Sequence, residues 1–112
     1  MSPRDQAAER NTNRRHELKT WPEPFLAVAC GHKTWEVRRD DRGFMIGDVL
    51  VLELWDPSPD EFGPRGYRRK GGGPDRVSLS FRVTYILHGG RFGVPEGYVV
   101  MSIEPVGGEA DQ

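Results

Sequence analysis

The sequence predicts a small α+β domain, an antiparallel β-barrel of about five or six strands with one short helix across an opening. Short apolar runs with period-two alternation recur along the chain, which is the mark of strands with a dry and a wet face. Only one stretch, between Thr20 and Gly31, has helical spacing. The chain has 112 residues, and the polar segments 1–13 and 105–112 carry no apolar periodicity and read as disordered tails. The folded domain is therefore expected over residues 14–104, with a flexible loop at 56–76. Roughly 90 residues bury only about 60% of their surface, so a single compact sheet or barrel is the expected solution.

Residues 14–19 (RRHELK) read as the first strand, with His16 and Leu18 on one side and Glu17 and Lys19 on the other. Thr20, with Glu23 three residues on and Pro22 and Pro24 in the first turn, has the form of a capping box. The helix it opens runs to Cys30, with Phe25, Val28 and Ala29 on the buried face and Cys30 as a small core residue. Gly31 is its left-handed stop. Residues 33–39 follow as a strand. Trp35 and Val37 share one face, expected to be the core, and Thr34, Glu36 and Arg38 share the other. Lys33 has the parity of the core face, but its long stem can carry the ammonium round.

Asp40 to Gly43 is a charged turn, Phe44 and Ile46 alternate, and Gly47–Asp48 turns the chain again. Residues 49–55 (VLVLELW) are apolar on both faces, as a central strand requires. Residues 56–76 break every pattern. They read as a loop carrying a basic cluster, Arg65, Arg68, Arg69 and Lys70 around Tyr67, that suits phosphates and a stacked base; they also read as a solvated hairpin extension. Residues 77–87 alternate most cleanly, with Val77, Leu79, Phe81, Val83, Tyr85 and Leu87 on one face. A glycine-rich loop over 88–97 leads to the last strand, 98–104.

Composition excludes several chemistries. The formal charge of −1 gives no global field toward polyanions, so a basic footprint must be local. One cysteine excludes an internal disulfide and thiolate-rich zinc sites, and His16, His32 and His88 lack metal-ligand spacing, so no metal and no cofactor is expected. The triple glycine at 71–73 lacks the rest of a phosphate loop, and no serine-nucleophile motif is present. Neither a membrane span nor a signal-peptide pattern is visible, which points to a cytoplasmic protein without membrane partners.

One constellation carries chemistry: Lys33, Thr34, Glu36 and Arg38 on the strand after Gly31. A carboxylate and a guanidinium on one face pair with each other or share a polar ligand; the same spacing also describes a solvated edge strand. His88, Gly89 and Gly90 offer a second rim, or simply a turn. Trp21 offers a stacking surface.

The segment GHKTWEVR, residues 31–38, resembles the GxKxxExR signature of ASCH domains, of the PUA-like superfamily, with Gly31, Lys33, Glu36 and Arg38 in place. HELKTWPEPF, RDDRGFMIGDVLVLELWD and YILHGGRFGVPEGYVVMSIE extend the likeness over about residues 16–104, toward a small branch found in bacteria and phages. The resemblance implies a PUA-like barrel whose cleft beside the signature strand binds RNA, another nucleic acid or a modified nucleobase. Some ASCH proteins are amidohydrolases acting on a modified cytidine. Their lysine matches Lys33, but their threonine is matched by Glu36, and the helical insertion with their acidic residue has no counterpart between Leu87 and Tyr98. A small hydrolase of nucleosides or RNA, with Glu36 as general base and Lys33 stabilising developing charge, is the alternative expectation. A protein-interaction module using the basic 65–70 loop is another.

Overall fold

The computed structural model describes residues 14–106. In chain order the elements are β1 (Arg15–Thr20), α1 (Pro22–Ala29), β2 (Trp35–Arg39), β3 (Val49–Asp60), β4 (Gly63–Tyr67), a 3₁₀ turn (Lys70–Gly72), β5 (Ser78–His88) and β6 (Tyr98–Pro105). They form one six-stranded sheet in the order β1-β3-β5-β6-β2, with β4 added to β3. Among the described residues no ladder joins the edges β1 and β2, so the sheet is open. All pairs are antiparallel except β1–β3, which runs parallel from Arg15 against Val49 to Thr20 against Leu54. The intervening helix and β2 supply the long connection that a parallel pair needs.

The core lies on the inner face: Leu18, Leu50, Leu52, Phe81, Val83, Val99, Met101 and Ile103, closed by Phe25 and Val28 of α1 and by Phe44. β3 has both neighbours along 49–53, and Val49 to Glu53 are all buried, as its two-sided apolar pattern requires. Leu50, Leu52 and Met101 are fully enclosed; truncating such a residue costs about 2–5 kcal/mol.

Helix α1 starts differently from the expected capping box. Thr20 is the buried last residue of β1, its hydroxyl donating to Leu18 O, and Trp21 takes the N-cap position with no side-chain hydrogen bond. The alternation His16, Leu18, Thr20 continues through the threonine, and the inward position outcompetes capping. At the other end the helix closes as a Schellman turn. Gly31, at φ +80°, donates to Val28 O, and His32 N donates to Ala27 O. Ala29 and Cys30 are exposed, because only Phe25 and Val28 of so short a helix reach the sheet.

Two strands depart from simple alternation. The register of β5 against β6 shifts between Val83 and Tyr85, a bulge at Thr84 that exposes Tyr85 and turns Ile86 toward the core. The pattern-free 56–76 segment is a hairpin: β3 continues through Pro57 and Pro59 to Asp60 and pairs with β4. Proline is tolerated there because this arm is an edge and its register shifts between Asp56 and Pro59. Asp60 caps the turn by accepting from Phe62 N at 2.8 Å. β6 reaches Pro105, one residue past the expected boundary, and Val106 N donates to Ser80 O. The tail expectations for 1–13 and 107–112 lie outside the described residues. No helix among the described residues is long and apolar enough to cross a membrane.

Candidate functional site

Edge strand β2 turns its chemistry inward. Glu36 is only 3% exposed, whereas Trp35 and Val37 are each 45% exposed, so the faces of this strand are the reverse of the expected assignment. Parity separates two sets of side chains but does not say which set faces in. Here the polar set does, because each charge in it is paired. Lys33 Nζ bonds Glu36 Oε1, and Arg38 reaches Glu36 Oε2 through Nε at 3.1 Å and Nη2 at 3.0 Å. A buried carboxylate flanked by two cations escapes most of the desolvation penalty of a lone charge.

Arg38 also bridges the open seam of the sheet. Its Nη1 donates to Lys19 O at 3.1 Å and its Nη2 to Thr20 Oγ1 at 3.2 Å, so a side chain of β2 holds the end of β1. Three of the five guanidinium N–H groups thus donate within the chain, to Glu36 Oε2, Lys19 O and Thr20 Oγ1. Both oxygens of Glu36 accept, Oε1 from Lys33 and Oε2 from Arg38. Lys33 is different. Its ammonium spends one of three donors on Glu36 and lies 4.6 Å from the Trp35 ring centroid, and its other two N–H groups have no hydrogen-bond partner among the described residues.

These groups line a cleft of about 310 Å³ walled by Lys19, Thr20, Trp21, Pro24, Lys33, Trp35, Glu36, Val37 and Arg38. Trp21, 60% exposed at the head of α1, and Trp35 give it two open aromatic faces. With Lys19, Lys33 and Arg38 against Glu36, its lining carries a net charge of +2 (three cations less one carboxylate). Chemically the lining offers aromatic surface and hydrogen-bond donors, which complement a flat, polar group bearing acceptors or negative charge.

The other expected site residues fall elsewhere. Thr34 is exposed outside the cleft wall, its carbonyl accepting from Ile103 N. His88 ends β5 opposite Val99, and neither it nor Gly89 nor Gly90 lines the cleft. The two glycine N–H groups serve the loop itself, Gly89 N donating to Tyr98 O and Gly90 N to Val94 O. A side chain at Gly89 would meet Pro95 O at 1.9 Å, so close backbone approach explains that glycine. Arg65, Tyr67, Arg68, Arg69 and Lys70 lie on and after β4, apart from the cleft wall. Beside them, Asp56 accepts from Ser58 N at 2.9 Å. That bond and the Ser58 side chain hold the Asp56 carboxyl below its ordinary value, helped by Arg65 and Arg68 and opposed by slight desolvation.

Sequence reading missed a second buried carboxylate. Asp48, expected in a turn, is completely buried, and its Oδ2 accepts from His16 Nε2 at 2.8 Å and Met45 N at 3.0 Å, with Arg14 at 3.4 Å. The inward parity of His16 was the available signal. Lys19 and Thr20 were missed as cleft residues for the same reason, since they end a strand that pattern alone places but does not aim. No group of three or more histidine, cysteine, aspartate or glutamate residues among those described is arranged to hold a metal ion.

Residues 15–103 match the family described as Domain of unknown function (DUF3850), a match that runs from the start of β1 into β6. No curated protein matches the chain.

Proposed function

The chain belongs to the DUF3850 family, and we propose that its cleft binds a nucleobase, in single-stranded RNA or another nucleic acid or as a modified nucleoside. The observation that carries this reading is the pairing of two exposed indole faces, Trp21 and Trp35, with the free donors of Lys33 in one cleft. Unpaired bases are recognised by stacking on aromatic rings and by hydrogen bonds to their polar edges, and a cleft of about 310 Å³ suits one such ring system. Lys33 is the contact residue toward a base acceptor or phosphate. Glu36 and Arg38 are positioning residues that hold the ammonium and close the seam. In this reading the open sheet is a PUA-like barrel of the ASCH type whose gap between β1 and β2 is the binding slot, and the signature residues Lys33, Glu36 and Arg38 are the slot's frame.

Hydrolysis is supported less well. A general base needs a free oxygen aimed at a water or hydroxyl, and the Glu36 oxygens are held by Lys33 and Arg38. The experiment is a binding titration with nucleosides, including acylated and methylated ones, and with short RNA and DNA strands, following ligand signals over time. Stable binding that Trp35→Ala weakens supports the receptor. Ligand that disappears with wild type but not with Glu36→Gln replaces it with the hydrolase, and silence across the panel removes both.

A further inference from the structure

The cleft does not end at its own wall. Lys19, on its rim, holds its ammonium 4.8 Å from the Trp55 ring centroid and 5.8 Å from that of Tyr67. Tyr67 in turn carries the Arg76 guanidinium 3.6 Å from its ring centroid. Arg76 is fixed there by Nη1, which donates to the buried Glu53 carboxylate at 3.3 Å, while Nε and Nη2 have no partner among the described residues. Beyond it opens a second, polar groove of about 620 Å³ in whose walls Arg69, Lys70 and Arg76 are matched by Glu17, Glu53 and Asp75. Arg65, Arg68 and Lys70 are exposed, and no hydrogen bond or ion pair within the described residues engages their side chains.

We infer that the ligand is a single strand of nucleic acid that leaves the cleft across Lys19 and continues over the Trp55–Tyr67–Arg76 platform onto the basic β3–β4 hairpin. This rests on the nucleobase reading of the cleft and adds a second subsite to it. Alternating cations and rings are what a sequence-tolerant track for one strand requires: rings stack bases and cations follow phosphates. A duplex has its bases already stacked and offers neither ring a face. The groove itself is charge-balanced and the chain's overall charge is −1, so the attraction for phosphates rests on the exposed side chains of Arg65, Arg68 and Lys70. An acidic protein segment would use the cations alone, which competition by polyglutamate distinguishes.

The test is fluorescence anisotropy with a mononucleotide and single strands of increasing length up to about eight nucleotides, on wild type, Tyr67→Leu and the double variant Arg68→Glu/Lys70→Glu. Affinity is expected to rise at least about tenfold with length in wild type. Both variants lose most of that gain while mononucleotide affinity stays unchanged, and the double variant shows a shallower salt dependence. The double variant replaces exposed side chains only, so a folding failure of Tyr67→Leu does not spoil the test. Equal affinity for mononucleotide and long strand, a length gain that survives both variants, or equal competition by polyglutamate overturns the track and leaves the cleft reading standing. If no nucleotide of any length binds, the cleft reading fails and the track with it.

Discussion

Two buried carboxylates sit at different places along the inner face, and their surroundings could hardly differ more. Asp48 is enclosed: His16, Met45 N and Arg14 converge on one of its oxygens, and His16 packs edge-on against Phe44 with ring centroids 4.9 Å apart. Its other oxygen is buried without a partner among the described residues. Glu36 is just as deeply placed, yet its partners Lys33 and Arg38 line an open cleft with exposed tryptophans. Burial by itself therefore separates nothing here. Nor does exposure of the partner, since the Arg14 side chain beside Asp48 is more exposed than that of Lys33 beside Glu36. The difference is the setting: Lys33 and Arg38 line a cleft together with the exposed Trp21 and Trp35.

The sharpest break of this comparison is Asp48→Ala. It strips His16 and the Met45 N–H of their acceptor in a closed space, and removing one partner of a buried charged pair costs about 3–5 kcal/mol. Urea denaturation is expected to show a loss of that size, while ligand affinity of the protein that remains folded is unchanged. Trp35→Ala should do the reverse. An exposed side chain outside the core changes stability by less than about 0.5 kcal/mol, but loss of one stacking surface weakens binding by about 1–3 kcal/mol. A variant that unfolds without losing affinity would place Trp35 with the scaffold.

Arg38→Lys tests the seam between the two. Lysine keeps the charge but cannot fork to Glu36, Lys19 O and Thr20 Oγ1 together. Stability should fall by about 1–2 kcal/mol, and amide exchange should quicken at Thr20 and Arg38 before the rest of the sheet. Unaltered protection at β1 would mean the seam does not depend on the guanidinium. The smallest effect is at the hairpin. The Asp56 carboxyl is held below its ordinary value of 3.8, so its bond from Ser58 is intact above that pH and is lost only as pH falls through the lower folded value. An NMR titration of the Ser58 amide should report that midpoint below 3.8.

Much of this was legible in the chain. Period-two runs gave every strand of the sheet except β4, and the apolar double row of Val49 to Leu54 gave its centre. Gly31 announced the helix stop, and the Lys33, Glu36, Arg38 spacing gave the cluster. Three things were hidden for physical reasons. The aim of β2 depends on whether its charges find partners, which takes Lys33 from before the strand, Thr20 from β1 and the curl of the sheet to decide. The bulge at Thr84 costs one residue of register and leaves no mark in an otherwise regular alternation. The hairpin arm of β3 carries prolines, which argue against a strand until the topology shows that its outer edge is unpaired. The parallel pairing of β1 with β3 was beyond pattern altogether, since nothing local records the direction of a partner.

Assignment of the site to the cleft beside Glu36 is tested most directly by an NMR titration of the ¹⁵N-labelled chain with a short single-stranded RNA, reading the tryptophan indole N–H signals. Trp21 and Trp35 are expected to shift in a saturable way together with Lys33 and Arg38, while His16, Met45 and Asp48 stay still. Shifts gathered around Asp48, or none at either tryptophan, would contradict it.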